Sequence, residues 1–210
     1  MSKIEEIAQA VENGKVKIIV ELVESALAEG VDPLSILNDG MISAMGIVGG
    51  KFQRSEIFVP EMLIAAKTMK KGVDILKPKL GGAATTSRGK CVIGTVYGDL
   101  HDIGKNLVTL MIESAGFEVI DLGVDVAIET FINTIKSNPD TNLVALSCLL
   151  TTTMPALEET ARAIKSSGLQ GFKLIVGGAP VTQDFADHIG ADGYSADAAS
   201  AADLARRLTA

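Results

Sequence analysis

Asp99 and His101 stand two residues apart within the stretch Lys90–Val108, KCVIGTVYGDLHDIGKNLV, and carry the clearest chemistry in the chain. An imidazole can bind a metal through one ring nitrogen while the other donates a hydrogen bond, and a nearby carboxylate is a natural acceptor. That pairing fixes the tautomer and raises the basicity of the ligating nitrogen. Gly98 and Gly104, on either side, permit tight turns and a close backbone approach by something bulky. Taken alone, Asp99-x-His101-x-x-Gly104 reads more readily as a polar surface loop whose histidine caps the next helix, because Asp, His and Gly are all ordinary loop residues.

The elements around this loop narrow the choice. Cys91–Val96 is an uncharged, β-prone run, and Ile103 opens a segment of helical spacing, so the loop joins a strand to a helix as in the first half of a βαβ unit. Ligands of open α/β sheets bind at the carboxyl edge of the strands, where this loop falls. Further strands are predicted at Glu118–Asp121, Leu143–Ser147, Lys173–Val176 and around Gly193. Helices are predicted at Ile128–Ser137, from about Met154 to Ser167, at Val181–His188 and at Ala198–Leu208. Repeated βα units predict a five-stranded parallel sheet, doubly wound and flavodoxin-like.

The chain before the sheet reads as helical. Ile4, Ile7 and Val11 open one apolar stripe, and Ile19, Leu22, Val23, Ala26 and Leu27 form a second. Asp32 and Pro33 mark the start of a third helix carrying Leu34, Leu37, Met41, Ala44, Met45 and Val48, which Gly49 and Gly50 weaken. Pro60 restarts a fourth, with Met62, Ala66, Met69, Val73 and Leu76, until Pro78 closes it. Short connections and narrow stripes predict a four-helix bundle over residues 1–80, a linker at 81–89 and the α/β domain over 90–210.

Composition sets outer bounds. With 210 residues, 47% of them hydrophobic, the chain can bury a substantial core. A net charge of -7 argues against a nucleic-acid partner. No run approaches a membrane span and the N-terminus lacks a signal core, which places the protein in the cytoplasm with no membrane partner. Cys91 and Cys148 lie in apolar strand contexts and read as reduced core residues. With only two histidines besides, a four-ligand zinc site is not expected, and any metal is expected to arrive inside a cofactor.

GDLHDIGKN, then Ser147-x-Leu149 after a later strand, then Gly177-Gly178 after another, resembles the cobalamin-binding signature D-x-H-x-x-G, S-x-L, G-G. The helical N-terminal half is similar to the cap of the cobalamin-binding region of methionine synthase and of corrinoid proteins of anaerobic methyltransferase systems. The resemblance implies cobalamin (methylcobalamin, cycling between Co(I) and Co(III)) bound with its nucleotide base detached, His101 as the metal ligand, Asp99 holding its other nitrogen, and Thr153, or a neighbour in Thr151–Thr153, completing the relay. It implies that Gly104, Ser147, Gly177 and Gly178 make room for the detached base, and that Gly98, Asp102, Ile103, Leu149 and Thr151 also line the cofactor. In the cap, Phe52, Val59 and Met62 match positions that cover the corrin, a role favoured for Phe52 and Val59, while Met62 fits the core of the bundle as well.

The function this implies is that of a methyl carrier with no catalytic site of its own. The implied partners are a substrate-specific methyltransferase, an acceptor methyltransferase acting on tetrahydrofolate or a thiol such as coenzyme M, and a reductive activator. The donor would be a methoxylated aromatic, a methylamine or betaine, or methanol. The alternatives are the cobalamin-binding subunit of an adenosylcobalamin mutase, a cobalamin-dependent sensor, and a cofactor-free phospho-receiver built on Asp99 and Asp121.

Overall fold

A computed structural model describes residues 2–76, 78–79 and 88–210. Two compact units divide the chain, the second beginning at Arg88. The proposed linker, apart from Arg88 and Gly89, lies outside the described residues. Gly89 already belongs to the sheet: its carbonyl accepts from Glu118 N at 3.0 Å, and a Cβ on it would lie 1.8 Å from Asn142 Nδ2.

The first unit is helical. Helix α1 (Lys3–Glu12) starts on a capping box in which Ser2 Oγ accepts from Glu5 N at 3.2 Å and the Glu5 carboxylate accepts from Ser2 N at 2.7 Å. Helix α2 spans Ile19–Ala28. Asp32 caps α3 (Pro33–Ser35), accepting from Ser35 N at 2.9 Å ahead of Pro33 in the first turn. That helix then widens into a π-helical segment, Ile36–Ile42, before returning to α geometry as α4 (Ser43–Gln53), and α5 covers Val59–Leu76.

The π segment explains a burial pattern that plain helical periodicity does not. Buried groups recur every four residues, at Ile36 and Leu37, Gly40 to Ile42, Ala44 and Met45, and Val48 and Gly49. An α-helix has 3.6 residues per turn and would carry such a repeat steadily around its axis. The i→i+5 bonding of the π segment has more than four residues per turn and offsets the drift. The glycine pair does not interrupt the helix, which runs through Gly49 and Gly50 to Gln53.

The second unit holds a five-stranded parallel sheet of order β2-β1-β3-β4-β5, with β1 Lys90–Thr95, β2 Glu118–Asp121, β3 Thr141–Ser147, β4 Lys173–Gly177 and β5 Gly193–Ser195. Helices α6 (Ile103–Ser114), α7 (Ile128–Ser137), α8 (Met154–Ser166), α9 (Gln183–His188) and α10 (Ala198–Leu208) connect and follow them. Cys91 through Val96 are all buried, as an uncharged central strand covered on both faces requires. Val92, Val144, Leu146, Leu174 and Val176 from three strands pack with Phe131, Leu157 and Ile164 from α7 and α8.

Strand order places the ends of β1 and β3 side by side, with Thr95 opposite Ser147 and Ser147 opposite Gly177. The loops leaving β1 and β3 therefore emerge next to each other at the carboxyl edge, where strand order changes direction and doubly wound sheets bind ligands.

Candidate functional site

The loop after β1 is tied to the sheet before it reaches its histidine. Thr95, the last residue of β1 and fully buried, donates its hydroxyl to the His101 carbonyl at 2.9 Å, and Asp99 N donates to Val96 O at 3.2 Å. Gly98 turns the chain at φ 79°, a conformation that glycine reaches without steric cost. Asp102 ends the loop, its side chain accepting from Asn106 Nδ2 at 3.0 Å in the first turn of α6.

Asp99 has no solvent exposure, yet every side of its carboxylate is occupied. Oδ1 accepts from His101 Nδ1 at 2.7 Å and from His101 N at 3.0 Å. Oδ2 accepts from Leu149 N at 2.7 Å and from Thr153 Oγ1 at 2.8 Å. Burial pushes the Asp99 carboxyl up, but the bonds from Leu149, His101 and Thr153 together outweigh it and hold the group well below the usual carboxylate range. An ionised carboxylate only accepts, so the proton between the two rests on His101 Nδ1, and the neutral ring then carries its lone pair on Nε2.

Nε2 has no partner among the described residues, and the His101 side chain is 48% exposed. The two loops also expose apolar side chains that a folded protein normally covers: Tyr97 and Leu100 in the β1 loop and Ile103 at the start of α6 are 63%, 72% and 85% exposed, and Leu149 and Leu150 from the β3 loop are also exposed. Tyr97, Leu100 and Leu150 were not among the residues singled out in the sequence. Their signal was large apolar residues interleaved with the polar loop motifs.

The β3 loop brings the second half of the constellation. After Ser147 the chain runs through buried Cys148 and exposed Leu149 into a 3-10 turn, Thr151–Thr153, that leads into α8. Thr151 and Thr152 are exposed; Thr153 is buried and meets Asp99. Leu149 is one of the residues expected to line the cofactor. Its backbone amide also anchors Asp99, a role that residue type cannot encode. Cys148 lies close by, and burial together with the Asp99 charge pushes its thiol up to about 11.

The four small residues behave differently from one another. Gly178 has φ 130°, and a Cβ there would fall 1.7 Å from the Cys148 carbonyl oxygen, so the glycine is demanded by the approach of the β3 and β4 loops. Gly177 is confined by Ser195 O, 3.1 Å from where its Cβ would lie. Gly104 meets nothing within 4 Å. Ser147 forms no hydrogen bond through its hydroxyl to any described residue.

In the first unit, Val59 is 39% exposed, Phe52 is half-buried and Met62 is fully buried. Asp121 is spent on Lys105 Nζ at 2.5 Å, and Asp99 is saturated, so these two aspartates do not form the open acidic pocket a phospho-receiver needs.

Do these residues fit a cobalamin? Among the described residues no three His, Cys, Asp or Glu side chains gather as a metal-binding group. A single free imidazole nitrogen suits a metal whose other ligands come with its own macrocycle. The exposed apolar residues of the same two loops and of the start of α6 provide surface that such a macrocycle would cover, and a Cβ on Gly104 would meet nothing within 4 Å. The residues present fit the group. No helix among the described residues is long and apolar enough to cross a membrane.

Two family models, each described as a B12 binding domain, match the chain, one over residues 89–203 and the other over 3–77. Trimethylamine corrinoid protein 2 of Methanosarcina acetivorans is 45% identical over 185 residues, covering 86% of this chain and 84% of that protein. The methanol:cobalamin methyltransferase complex of Methanosarcina barkeri contains a chain that superposes with a TM-score of 0.86 at 31% identity, covering 99% of this chain and 79% of that one. A cobalamin-binding protein from Desulfitobacterium hafniense superposes with a TM-score of 0.82 at 33% identity, over 98% of each chain. The chain belongs to the B12-binding corrinoid proteins of methyltransferase systems.

Proposed function

We propose that the protein is a methyl carrier that binds cobalamin with its nucleotide base displaced from the metal and with His101 Nε2 as the axial ligand. The observation that carries this reading is the division of labour on one ring: Nδ1 held at 2.7 Å by a saturated Asp99, and Nε2 free in a half-exposed side chain. When bound, the corrinoid supplies a cobalt centre that accepts a methyl group as Co(I) and releases it from Co(III).

The protein's own residues do the rest. Asp99 keeps His101 in the Nδ1–H tautomer, and Thr153 helps hold Asp99 ionised and oriented. Tyr97, Leu100, Ile103, Leu149 and Leu150 cover one face of the macrocycle and exclude water from it. Gly104 leaves room for the displaced base, with Ser147 Oγ offering it a hydrogen bond. In the first unit, Phe52 and Val59 are proposed to contact the cofactor.

The donor enzyme is proposed to act on a methylated amine, a methylamine or betaine. The trimethylamine and dimethylamine corrinoid proteins among the relatives support that choice. A second methyltransferase, with tetrahydrofolate or a thiol as acceptor, would empty the carrier, and a reductive activator would restore Co(I).

The test is to load the full chain and a His101→Ala variant with hydroxocobalamin and record their visible spectra. The substitution should abolish the histidine-ligated spectrum while far-UV circular dichroism stays unchanged. Identical spectra for the two would overturn axial ligation by His101. Methyl transfer with purified donor enzymes then tests the amine assignment, and turnover only with a methanol or methoxylated-aromatic enzyme would overturn it.

A further inference from the structure

We propose that Asp125, which lies outside the cobalamin signature, is a positioning residue that clamps the backbone of the histidine loop and thereby fixes where Asp99 holds His101. The inference rests on the reading of His101 as the axial ligand. Asp125 lies between β2 and α7, and it grips the loop twice. Its carboxylate Oδ1 accepts from Gly98 N at 2.7 Å, and its own amide donates to Asp99 O at 2.9 Å. One residue thus brackets the Gly98–Asp99 segment from both ends.

The grip comes from a braced support. Thr95 N donates to Gly123 O at 2.9 Å, Val126 N donates to Thr95 O at 3.0 Å, and Val96 forms a parallel bridge with Val126. At the near end, Asp121 accepts from Gly123 N at 2.9 Å and from buried Lys105 at 2.5 Å. The connection therefore runs along the end of β1 as an added rung, and Asp125 is the residue that reaches on to the loop.

Two further observations separate this role from core packing. Asp125 is exposed, so it fills no interior space. Its φ of 54° lies in the left-handed region, where among the described residues only Ser55 joins it as a non-glycine. Residues with side chains occupy that region at a steric cost which surrounding bonds must offset, and aspartate is among the few that tolerate it. Glycine at this position would relieve the backbone, yet the chain carries a carboxylate. Opposite it, Gly98 at φ 79° is the least restrained point of the loop. Without the clamp, rotation about Gly98 would move Asp99 and the imidazole together.

Asp125→Gly and Asp125→Asn separate the two contributions. Glycine removes the acceptor while easing the backbone; asparagine keeps an acceptor oxygen and tolerates the same φ. The full chain, labelled with nitrogen-15 in histidine, is measured first without corrinoid, reading the His101 tautomer from its ring nitrogen shifts, with a His188→Gln background to assign the two histidines. It is then loaded with cobalamin, reduced to Co(II), and read by electron paramagnetic resonance. A labelled axial histidine gives a nitrogen doublet, and an unlabelled benzimidazole gives a triplet. The wild type and Asp125→Asn should show the Nδ1–H tautomer and the doublet. Asp125→Gly should show a mixed tautomer, a weakened doublet and roughly tenfold poorer corrinoid retention.

Wild-type tautomer, doublet and retention in Asp125→Gly would overturn the proposal. A wild-type protein lacking the doublet would instead overturn the histidine-ligation reading, and the tautomer measurement would then decide by itself whether Asp125 orders His101.

Discussion

Thr153 Oγ1 sits 2.8 Å from Asp99 Oδ2 and 2.9 Å from the Leu150 carbonyl, so a single hydroxyl proton faces two acceptors at nearly equal range. Asp99 Oδ2 keeps its bond from Leu149 N whichever way that proton turns. Thr153→Val preserves shape and removes the hydroxyl. It should lower stability by about 2 kcal/mol, the scale of one hydrogen bond to a charged group, and Thr153→Ser should restore most of it. Urea midpoints for the three proteins at constant m-value check this.

Asp99→Asn exchanges an all-acceptor group for one with two donors. On either side the new amide nitrogen meets a backbone N–H donor to donor, from His101 or from Leu149. The expected loss is about 3 kcal/mol in urea unfolding of the apoprotein. If the amide nitrogen turns to the ring, His101 must accept at Nδ1 and carry its proton on Nε2, which removes the lone pair a metal needs. Nitrogen-15 shifts of His101 should report that change.

Gly104→Ala and Gly178→Ala should separate two kinds of glycine. At Gly104 a Cβ meets nothing, and in the first turn of α6 alanine should hold or raise apoprotein stability by up to about 1 kcal/mol. Corrinoid retention should nevertheless fall if that space receives the displaced base. At Gly178 the Cβ collides with the Cys148 carbonyl, and a loss of at least about 4 kcal/mol is expected whether or not corrinoid is present. Thermal melts with and without hydroxocobalamin distinguish the two.

Both cysteines are fully buried, and burial raises both thiols, Cys148 to about 11. At about pH 8 neither should react with a disulfide reagent in the native protein, and both should react in urea. An unfolded cysteine loses its proton near pH 8.5. The folded chain therefore holds more protons between there and about 11, and stability should fall as pH rises through that window. Unfolding midpoints at pH 8 and pH 10, with a Cys148→Ala control, test the sign.

Much of the second unit was legible in the chain. The uncharged run Cys91–Val96 and the alternation of apolar strands with periodic helices carry the parallel sheet directly, because a central strand covered on both faces has no room for polar alternation. The Asp99–His101 pair was readable because both partners lie within one loop, and Thr153 because a resemblance placed it there. What stayed hidden depends on backbone atoms or on tertiary approach. The Leu149 amide that anchors Asp99 belongs to every residue type alike. The Asp125 clamp joins positions that only the folding of β2 beside β1 brings together. Met62 fits an apolar stripe equally well as cover or as core, and residue type alone does not separate the two.

The four-residue repeat in Ile36–Gly49 fixes the length of that helix. Were the wide turn to anneal into ordinary α geometry, the later pairs would swing progressively around the axis, bringing Val48 and Gly49 toward solvent and drawing polar neighbours inward. The spacing between Asp32 and Gln53 is thus a phase constraint as much as a distance. Losing one residue inside the wide segment would let it close to ordinary α geometry with the second half of the helix still in phase, while the same loss within Ser43–Gln53 would turn the residues after it by about 100°.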